Sequence, residues 1–351
     1  MNPVLALARP DILALQPYQH AKWDPSLERM HANEMPWRAQ GDNTQAGLNR
    51  YPEPQPRALV ERMAKLYGVP AANCLVGRGS DEAIDLLVRA FCRAGQDSVV
   101  ITPPTFGFYK VAARIQGASV IEVPLLPGDF SLDLPAVLEA GRRAKIVFLC
   151  SPNNPTGNLL DAELMLQVCR ELASHALVCV DEAYAEFARR PSLTARLDEL
   201  PNLVVLRTLS KAYALAGARL GTLIAGEDVV GLLKRIIPPY AIPASTVEEV
   251  LALTEAPQRA MATARIEALL AERAKMQQCL QRMSVVAQVF PSDANFLLVE
   301  FRDARRALEA GRSAGLLVRD FSAAPGLENC LRISVGTPEQ NERLLAALEA
   351  L

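Results

Sequence analysis

The middle of the chain alternates short apolar runs with stretches of helical spacing. Residues 146–150, 176–180 and 203–206 are apolar without interruption, which is typical of strands buried on both faces of a sheet. Helical spacing recurs between such runs, as in residues 57–67, which end at Gly68. We predict six strands here, at 73–76, 98–102, 120–123, 146–150, 176–180 and 203–206. Strands separated by helices indicate an α/β fold with a mostly parallel central sheet.

The pattern changes at about Pro238. Long helical stretches cover residues 245–283, with a break near Pro257, and shorter elements follow. We predict strands at 285–290, 295–301, 316–319 and 330–335, and helices at 303–314 and 338–350. This arrangement indicates a smaller α+β domain at residues 238–351, next to a large domain at residues 47–237.

Residues 1–46 form a different kind of segment, irregular and rich in proline, asparagine and glutamine. A segment of this composition is usually a linker. It nevertheless contains Trp23, Met30, Met35 and Trp37, whose apolar surface is unfavourable in water. We therefore expect residues 1–46 to be an N-terminal arm that docks on the core.

Polar residues follow the predicted strands at the point where each one ends. Asn154, Asp181 and Lys211 come after the three longest apolar runs, and Phe106 and the segment 79–81 follow two earlier strands. In parallel sheets, ligands bind beyond the carboxyl ends of the strands. The sequence therefore predicts one crevice to which five separate segments contribute.

Lys211 is the candidate nucleophile of this crevice. It lies among Leu, Ala, Tyr and Gly, between the hydroxyl groups of Thr208 and Ser210 and a downstream Arg219. Apolar surroundings disfavour a charged amine and make it available for Schiff-base chemistry. The hydroxyls and the guanidinium could hold a phosphate group. A surface lysine at the start of a helix is the alternative.

The segment Gly79-Ser80-Asp81 precedes a predicted helix, where backbone N–H groups form a natural anion site. Ser80 or Asp81 could equally serve as a helix cap. A dinucleotide site is excluded because Glu82 stands where the third glycine of that motif belongs.

Asp181 ends a buried strand, where a carboxylate is unfavourable unless it is paired or caps the next turn with Glu182.

Composition and charge exclude several classes of function. The 351 residues include 37 basic and 39 acidic ones, giving a net charge of -2, so neither nucleic acid nor an acidic membrane is an expected partner. Seven scattered cysteines indicate free thiols in a reducing compartment. Three histidines without ligand spacing argue against a metal site. Because we find no signal peptide or membrane-spanning run, we expect a cytoplasmic protein.

Three segments resemble the signatures of the fold-type I pyridoxal-phosphate aminotransferases. They are Ser210-Lys211 with Gly217-x-Arg219-x-Gly221, the run Ser151-Pro152-Asn153-Asn154-Pro155-Thr156-Gly157, and Asp181-Glu182-Ala183-Tyr184. Four N-terminal motifs narrow the likeness to the histidinol-phosphate aminotransferases. They are Arg9-Pro10-Asp11, Gln16-Pro17-Tyr18, Ala32-Asn33-Glu34 and Asn49-Arg50-Tyr51-Pro52. The likeness extends from Ala8 to the C-terminal helix. It implies a fold-type I architecture, pyridoxal 5'-phosphate as cofactor and a homodimer with shared active sites.

The resemblance also implies roles for the cofactor-binding residues. Lys211 would bind the cofactor covalently and act as general base and acid, while Asp181 would pair with the pyridine nitrogen. Asn154 and Tyr184 would hydrogen-bond the phenolic oxygen. Phe106 would stack on the ring, at a position where many relatives carry tyrosine. The phosphate would be held by Gly79, Ser80, Asp81, Thr208, Ser210 and Arg219.

The resemblance places the substrate among residues from several segments. Tyr51 would reach the site of the neighbouring subunit and contact both cofactor and substrate. Arg332 and Arg319 would bind the substrate anion, and Tyr18, Asn33 and Asn154 would contact the substrate. Two arginines on adjacent strands suit a phosphate dianion better than a single carboxylate.

The implied reaction is transamination of L-histidinol phosphate with 2-oxoglutarate, in histidine biosynthesis. The alternatives on the same scaffold are an aromatic amino-acid aminotransferase and a threonine-phosphate decarboxylase. A transcription regulator with an aminotransferase-like domain would need a basic DNA-binding module. The segment before Arg50 is too short and too polar to supply one.

Overall fold

A seven-stranded sheet forms the centre of the molecule in this computed structural model, which describes residues 3–19, 24 and 26–351. Its strands are β1 (Cys74–Gly77), β2 (Ser98–Ile101), β3 (Ser119–Glu122), β4 (Ile146–Cys150), β5 (Leu177–Asp181), β6 (Leu203–Thr208) and β7 (Gly221–Ala225). Their order across the sheet is β1-β7-β6-β5-β4-β2-β3. The six predicted strands are all present, and four neighbouring pairs are parallel.

Strand β7 was not predicted from the sequence. It pairs antiparallel with β1 on one side and with β6 on the other, so it joins the first strand to the rest of the sheet. The prediction of a mostly parallel sheet is confirmed, with β7 as its antiparallel member.

Helices cover both faces of this sheet. They are α1 (Pro10–Ala14), α2 (Arg57–Tyr67), α3 (Ser80–Phe91), α4 (Phe108–Gln116), α5 (Leu134–Gly141), α6 (Ala162–Glu171), α7 (Glu227–Leu233) and α8 (Ala244–Leu253). Apolar residues of α3, α4 and α7 share one buried cluster with the sheet, and those of α2, α5, α6 and α8 share the other. This two-sided cover explains why β2, β4, β5, β6 and β7 are buried along their whole length.

A second, antiparallel sheet lies later in the chain. The remaining elements are α9 (Ala256–Leu280), β8 (Val286–Val289), β9 (Phe296–Phe301), α10 (Ala304–Ser313), β10 (Arg319–Asp320), β11 (Cys330–Ser334) and α11 (Pro338–Glu349). The sheet order is β10-β11-β9-β8, and it packs against α9, α10 and α11. The predicted break near Pro257 is observed, because Pro257 stands in the first turn of α9.

The first residues are more regular than the sequence indicated. Residues Pro3–Leu7 form a 3-10 helix that precedes α1, and Val4, Leu7 and Ala8 are buried in the cluster that contains α3. By contrast, Met30 is 97% exposed and Trp37 is 73% exposed. Trp23 lies outside the described residues. The arm therefore packs tightly on this chain at its start and exposes apolar side chains further on.

All seven cysteines are free thiols, and all except Cys279 are buried. Burial raises the pKa of Cys74, Cys92, Cys169 and Cys330 to about 12. Within the described ranges, no helix has the length and apolar character needed to cross a bilayer.

Candidate active site

A cleft of about 640 Å³ opens where the parallel strands of the large sheet end and the small sheet approaches. Every predicted cofactor-binding residue except Tyr51 lines it, together with Arg319 and Arg332. Its walls come from Gly79, Ser80, Asp81, Thr105, Phe106, Gly107, Phe108, Cys150, Asn154, Asp181, Ala183, Tyr184, Thr208, Ser210, Lys211, Arg219, Arg319, Phe321 and Arg332. The structure therefore brings together the separate segments that follow the strands.

Lys211 lies in the loop after β6 and not in a helix, so the simple surface-helix interpretation is wrong. Its Nζ is 5.7 Å from the centre of the Tyr184 ring. The side chain is open to the solvent of the cleft, yet desolvation by the walls, followed by the charge of Arg332, lowers the pKa of its amine. A lowered pKa makes the neutral, nucleophilic amine more abundant near pH 7.

Asp181 ends β5 at the floor of the cleft and is fully buried. Its Oδ2 accepts a hydrogen bond from the Tyr109 hydroxyl at 2.8 Å, and its Oδ1 accepts the Ala183 N–H at 3.1 Å. Burial raises the pKa of Asp181 to about 6, although both hydrogen bonds act to lower it. No salt bridge to Asp181 is formed within the described part of the chain, so its carboxylate is available to a cationic group in the cleft.

Asn154 connects the two sheets. Its Nδ2 donates to the Tyr184 hydroxyl at 3.3 Å, and its Oδ1 accepts from Arg332 Nη1 at 2.5 Å. Burial raises the pKa of Tyr184 above its ordinary value, so this phenol remains a protonated donor at neutral pH. The three side chains form one hydrogen-bonded wall of the cleft.

Arg332 and Arg319 face each other on neighbouring strands. They are direct partners in the antiparallel pairing of β11 and β10. The Arg332 guanidinium lies 5.2 Å from the ring centre of Phe296 and 5.4 Å from that of Phe321, and its Nε is buried without a hydrogen-bond partner in the described structure. Desolvation, and then the nearby Arg319, lower the pKa of Arg332. Like charges directly opposite each other are unfavourable until an anion lies between them.

The phosphate-binding candidates converge at the start of α3. No side chain caps this helix, so its first N–H groups face the cleft and the capping role proposed for Ser80 or Asp81 is not observed. Arg219 reaches them and donates to Asp81 at 3.3 Å. A Cβ atom on Gly79 would lie 2.9 Å from Arg219 Nη2, so glycine leaves the space this guanidinium occupies. On the other side, the Thr208 hydroxyl donates to Ser210 Oγ at 3.0 Å.

Phe106 lines the cleft, but Tyr18, Asn33 and Tyr51 do not line the cleft of the same chain. Tyr18 and Asn33 border two other hollows, and Tyr51 stacks on Tyr240 with ring centres 4.6 Å apart. Their predicted contacts with the substrate or with a neighbouring site stay predictions.

Two groups of residues at the site were missed in the sequence. Tyr109 is fully buried on α4, three residues after Phe106, which lies in the loop before that helix, and its place in this aromatic run was the available signal. Arg207 binds Glu182 at 3.0 Å and Glu186 at 2.7 Å beneath the cleft. Although burial opposes it, the two carboxylates raise the pKa of Arg207. Glu182 thus links the ends of β5 and β6, and its other carboxylate oxygen accepts the Leu193 N–H at 2.8 Å.

Comparison with known proteins defines the class. A family model described as aminotransferase class I and II matches residues 25–348. A curated histidinol-phosphate aminotransferase of Stenotrophomonas maltophilia (strain R551-3) is 46% identical over 356 residues, covering 100% of this chain and 98% of that relative. The chain belongs to the class I and II aminotransferases, and within them to the group of the histidinol-phosphate aminotransferases.

Solved structures agree with this assignment. The histidinol-phosphate aminotransferase of Sinorhizobium meliloti, determined in complex with pyridoxal-5'-phosphate, has a TM-score of 0.78 and 28% identity, covering 86% of this chain and 82% of that one. The L-threonine-O-3-phosphate decarboxylase of Porphyromonas gingivalis has a TM-score of 0.72 and 25% identity, covering 86% of this chain and 90% of that one. The predicted fold-type I architecture is confirmed.

The residues of the cleft fit pyridoxal phosphate. Asp181 offers a buried carboxylate for a pyridinium, Arg219 with the start of α3 suits a phosphate, and Lys211 supplies an amine. Asn154 and Tyr184 present polar groups on the wall between them.

Proposed function

We propose that this chain transfers the amino group of L-histidinol phosphate to 2-oxoglutarate, giving imidazole acetol phosphate and glutamate, in L-histidine biosynthesis. The pairing of Arg319 with Arg332 at the mouth of the cleft is the observation that carries the proposal. Two like charges in direct register favour a dianion over a single carboxylate. The name of the curated relative that is 46% identical points to the same substrate.

Pyridoxal phosphate, when bound, supplies an electron sink that stabilises the carbanion formed at the substrate Cα. Asp181 would present its carboxylate to the pyridine nitrogen, which would favour the protonated form of that nitrogen. Arg219, Ser210, Thr208 and the start of α3 hold the phosphate and fix the orientation of the ring.

Lys211 has two roles in this proposal. Its amine binds the cofactor, and once released by the substrate it takes the proton from the substrate Cα and returns it at the cofactor's C4′. The lowered pKa of Lys211, caused first by desolvation, suits this exchange, because it favours the neutral amine that can accept the proton.

A test of the substrate assignment compares the two half-reactions by single-turnover kinetics. Arg332→Ala should impair both histidinol phosphate and glutamate, because both present an anion to that guanidinium. Arg319→Ala should impair histidinol phosphate more, since a phosphate offers a third oxygen. The exposed Arg305→Ala on α10 is the control and should change neither. If Arg319→Ala weakens both substrates equally, the phosphate-specific role is wrong.

The alternatives are separated by a substrate panel. Histidinol phosphate should react far faster than phenylalanine, and threonine phosphate should release no carbon dioxide. In favour of the decarboxylase alternative, the L-threonine-O-3-phosphate decarboxylase of Porphyromonas gingivalis is 25% identical to this chain, against 46% for the curated relative. Faster turnover of phenylalanine would favour the aromatic aminotransferase.

The proposed working unit is a homodimer in the cytoplasm, built from an arm (residues 1–46), a large domain (47–237) and a small domain (238–351). Met30, Met35 and Trp37 are exposed on one chain, and a second copy would cover them. Tyr51 lies outside its own cleft, as expected of a residue that completes the partner's site. Six buried thiols without disulfides suit a reducing compartment.

Tyr51→Phe and Lys211→Ala test the shared site by complementation. Each homodimer should be impaired, whereas mixed dimers should regain activity in the sites that receive an intact tyrosine and lysine. Mixed dimers without recovery would show that Tyr51 acts within its own chain.

A further inference from the structure

The hydroxyl of Tyr109 is the one side-chain donor to Asp181 within the described residues. It reaches Asp181 Oδ2 at 2.8 Å, and the other carboxylate oxygen takes a backbone N–H from Ala183. Tyr109 is 0% exposed, so it touches neither solvent nor any molecule that occupies the cleft. Its influence on the chemistry must therefore pass through Asp181.

Aromatic packing fixes this hydroxyl in place. The Tyr109 ring stacks on Phe148 with centres 4.8 Å apart and planes 5° from parallel. Phe106 meets the same ring edge-on at 5.5 Å. Phe106 is expected to cover the cofactor ring, so the loop before α4 presents the stacking face and α4 itself presents the donor to the carboxylate. Replacing Tyr109 by phenylalanine would keep this packing and remove only the hydroxyl.

Asp181 lies among groups that mostly disfavour its negative charge. Burial raises its pKa first, and the nearby carboxylates act in the same direction. The ionisable groups around it, besides Tyr109, are Asp81, Cys150, Cys179, Glu182, Tyr184 and Lys211. A hydrogen bond donated to a carboxylate lowers its proton affinity. Without that donor, Asp181 would compete more strongly for a proton shared with a pyridine nitrogen.

We propose that Tyr109 is a positioning residue that keeps the shared proton on the cofactor's pyridine nitrogen by holding Asp181 oriented and weakly basic. This inference rests on the proposed use of pyridoxal phosphate. The Tyr109 hydroxyl would influence the pyridine ring only through the Asp181 carboxylate, and it does not contact the substrate.

The experiment loads the enzyme with pyridoxal phosphate labelled with ¹⁵N in its ring and records the NMR shift of that nitrogen at pH 7.5. Wild type should show a protonated nitrogen. Tyr109→Phe should move the signal toward the neutral value and lower kcat about ten- to a hundredfold, with KM unchanged. Tyr67→Phe is the matched control, because the Tyr67 hydroxyl is also buried but has no hydrogen-bond partner in the described structure. It should leave the signal in place.

An unchanged signal and kcat in Tyr109→Phe overturn the inference. Failure of the wild-type protein to bind the labelled cofactor at Lys211 would instead overturn the proposed function, so the two failures are distinguishable. If Tyr109→Phe does not fold, 3-fluorotyrosine at position 109 replaces it. As a stronger donor, it should keep the signal at the protonated value, and a displacement toward the neutral value contradicts the inference.

A double-mutant cycle separates this role from a purely structural one. In an Asp181→Asn background the carboxylate is gone, so Tyr109→Phe should change cofactor affinity and kcat less than about twofold. If the full effect of Tyr109→Phe persists in that background, the hydroxyl does not act through Asp181 and the inference is wrong.

Discussion

Asp181 shows how a functional residue is held at an energetic cost. Burial at the floor of the cleft raises the pKa of Asp181 to about 6, whereas an ordinary aspartate has a pKa near 3.8. The folded protein without cofactor therefore binds a proton at Asp181 more tightly than the unfolded chain does. The tighter binding of this proton stabilises the folded state. That stabilisation is fully present below pH ~4 and is lost as pH rises through about 6.

We therefore expect Asp181→Asn to stabilise the apoenzyme at neutral pH. A difference of about two pKa units corresponds to about 3 kcal/mol at pH 7.5, and the gain should vanish near pH 4. Urea unfolding of both apoenzymes at the two pH values measures it. The same substitution should remove most of kcat in the loaded enzyme. A stability difference that does not depend on pH would contradict the argument.

Lys211 gives a second prediction at this scale. Lys211→Ala should abolish turnover and the borohydride-reducible attachment of cofactor, because the loop after β6 offers no other amine to the cleft within the described structure. Peptide mapping after reduction identifies the labelled residue. Attachment to a different lysine would contradict the assignment.

The sequence predicted most of the cleft because its residues follow strand ends or belong to a recognisable signature. The role of Tyr109 was not predicted, because this residue lies within a helix, where a buried aromatic side chain cannot be distinguished from an ordinary core residue. Tyr18, Asn33 and Tyr51 were assigned by resemblance alone, and the geometry of one chain does not bring them to the cleft.

At the scale of elements, β7 is the strand that sequence reasoning missed. Its five residues follow a glycine-rich loop directly, and such a short run has no period that distinguishes strand from loop. Its partners are also distant in sequence, since Cys74 pairs with Ile224 and Val204 with Ala225. The strand carries Gly221, whose missing side chain lets it pass under the start of α3.

We expect Gly221→Ala to disturb the phosphate site. Its Cβ would lie 2.3 Å from the Gly79 carbonyl carbon and 2.5 Å from the Ser80 nitrogen, and backbone atoms cannot move aside easily. Overpacking of this kind costs about 1–3 kcal/mol and should also weaken cofactor binding. Gly217→Ala, in the segment just before β7 and with open space around it, is the matched control. Urea unfolding and a cofactor titration measure both effects, and equal behaviour of the two variants would contradict the prediction.

At the scale of the whole molecule, exposed apolar side chains concentrate in the segment between the start of the arm and α2. Leu27, Met30, Met35, Trp37, Leu48 and Tyr51 are all at least half exposed. A surface of this kind is unusual for a protein that works as a monomer. The two sheets were predictable from periodicity, whereas the covering of this surface would require the proposed second chain.

A charge placed in that surface should weaken assembly. We expect Met30→Glu with Trp37→Glu to shift the protein toward monomers, because each carboxylate would be buried at the interface. Leu317→Glu is the control, since Leu317 is also 87% exposed but lies between α10 and β10. Sedimentation velocity measures the result, and a double variant that assembles as wild type does would argue against the arm as an interface.

The distribution of the cysteines allows unfolding of the protein to be followed by thiol labelling. An alkylating reagent reacts with thiolates, and six of the seven thiols are enclosed by the packed layers. The folded protein should therefore take up one maleimide, at Cys279, and unfolding should release the other six. Mapping the added labels to peptides by mass spectrometry would show which side opens first, since Cys74 and Cys169 lie on one face of the large sheet and Cys92 and Cys179 on the other.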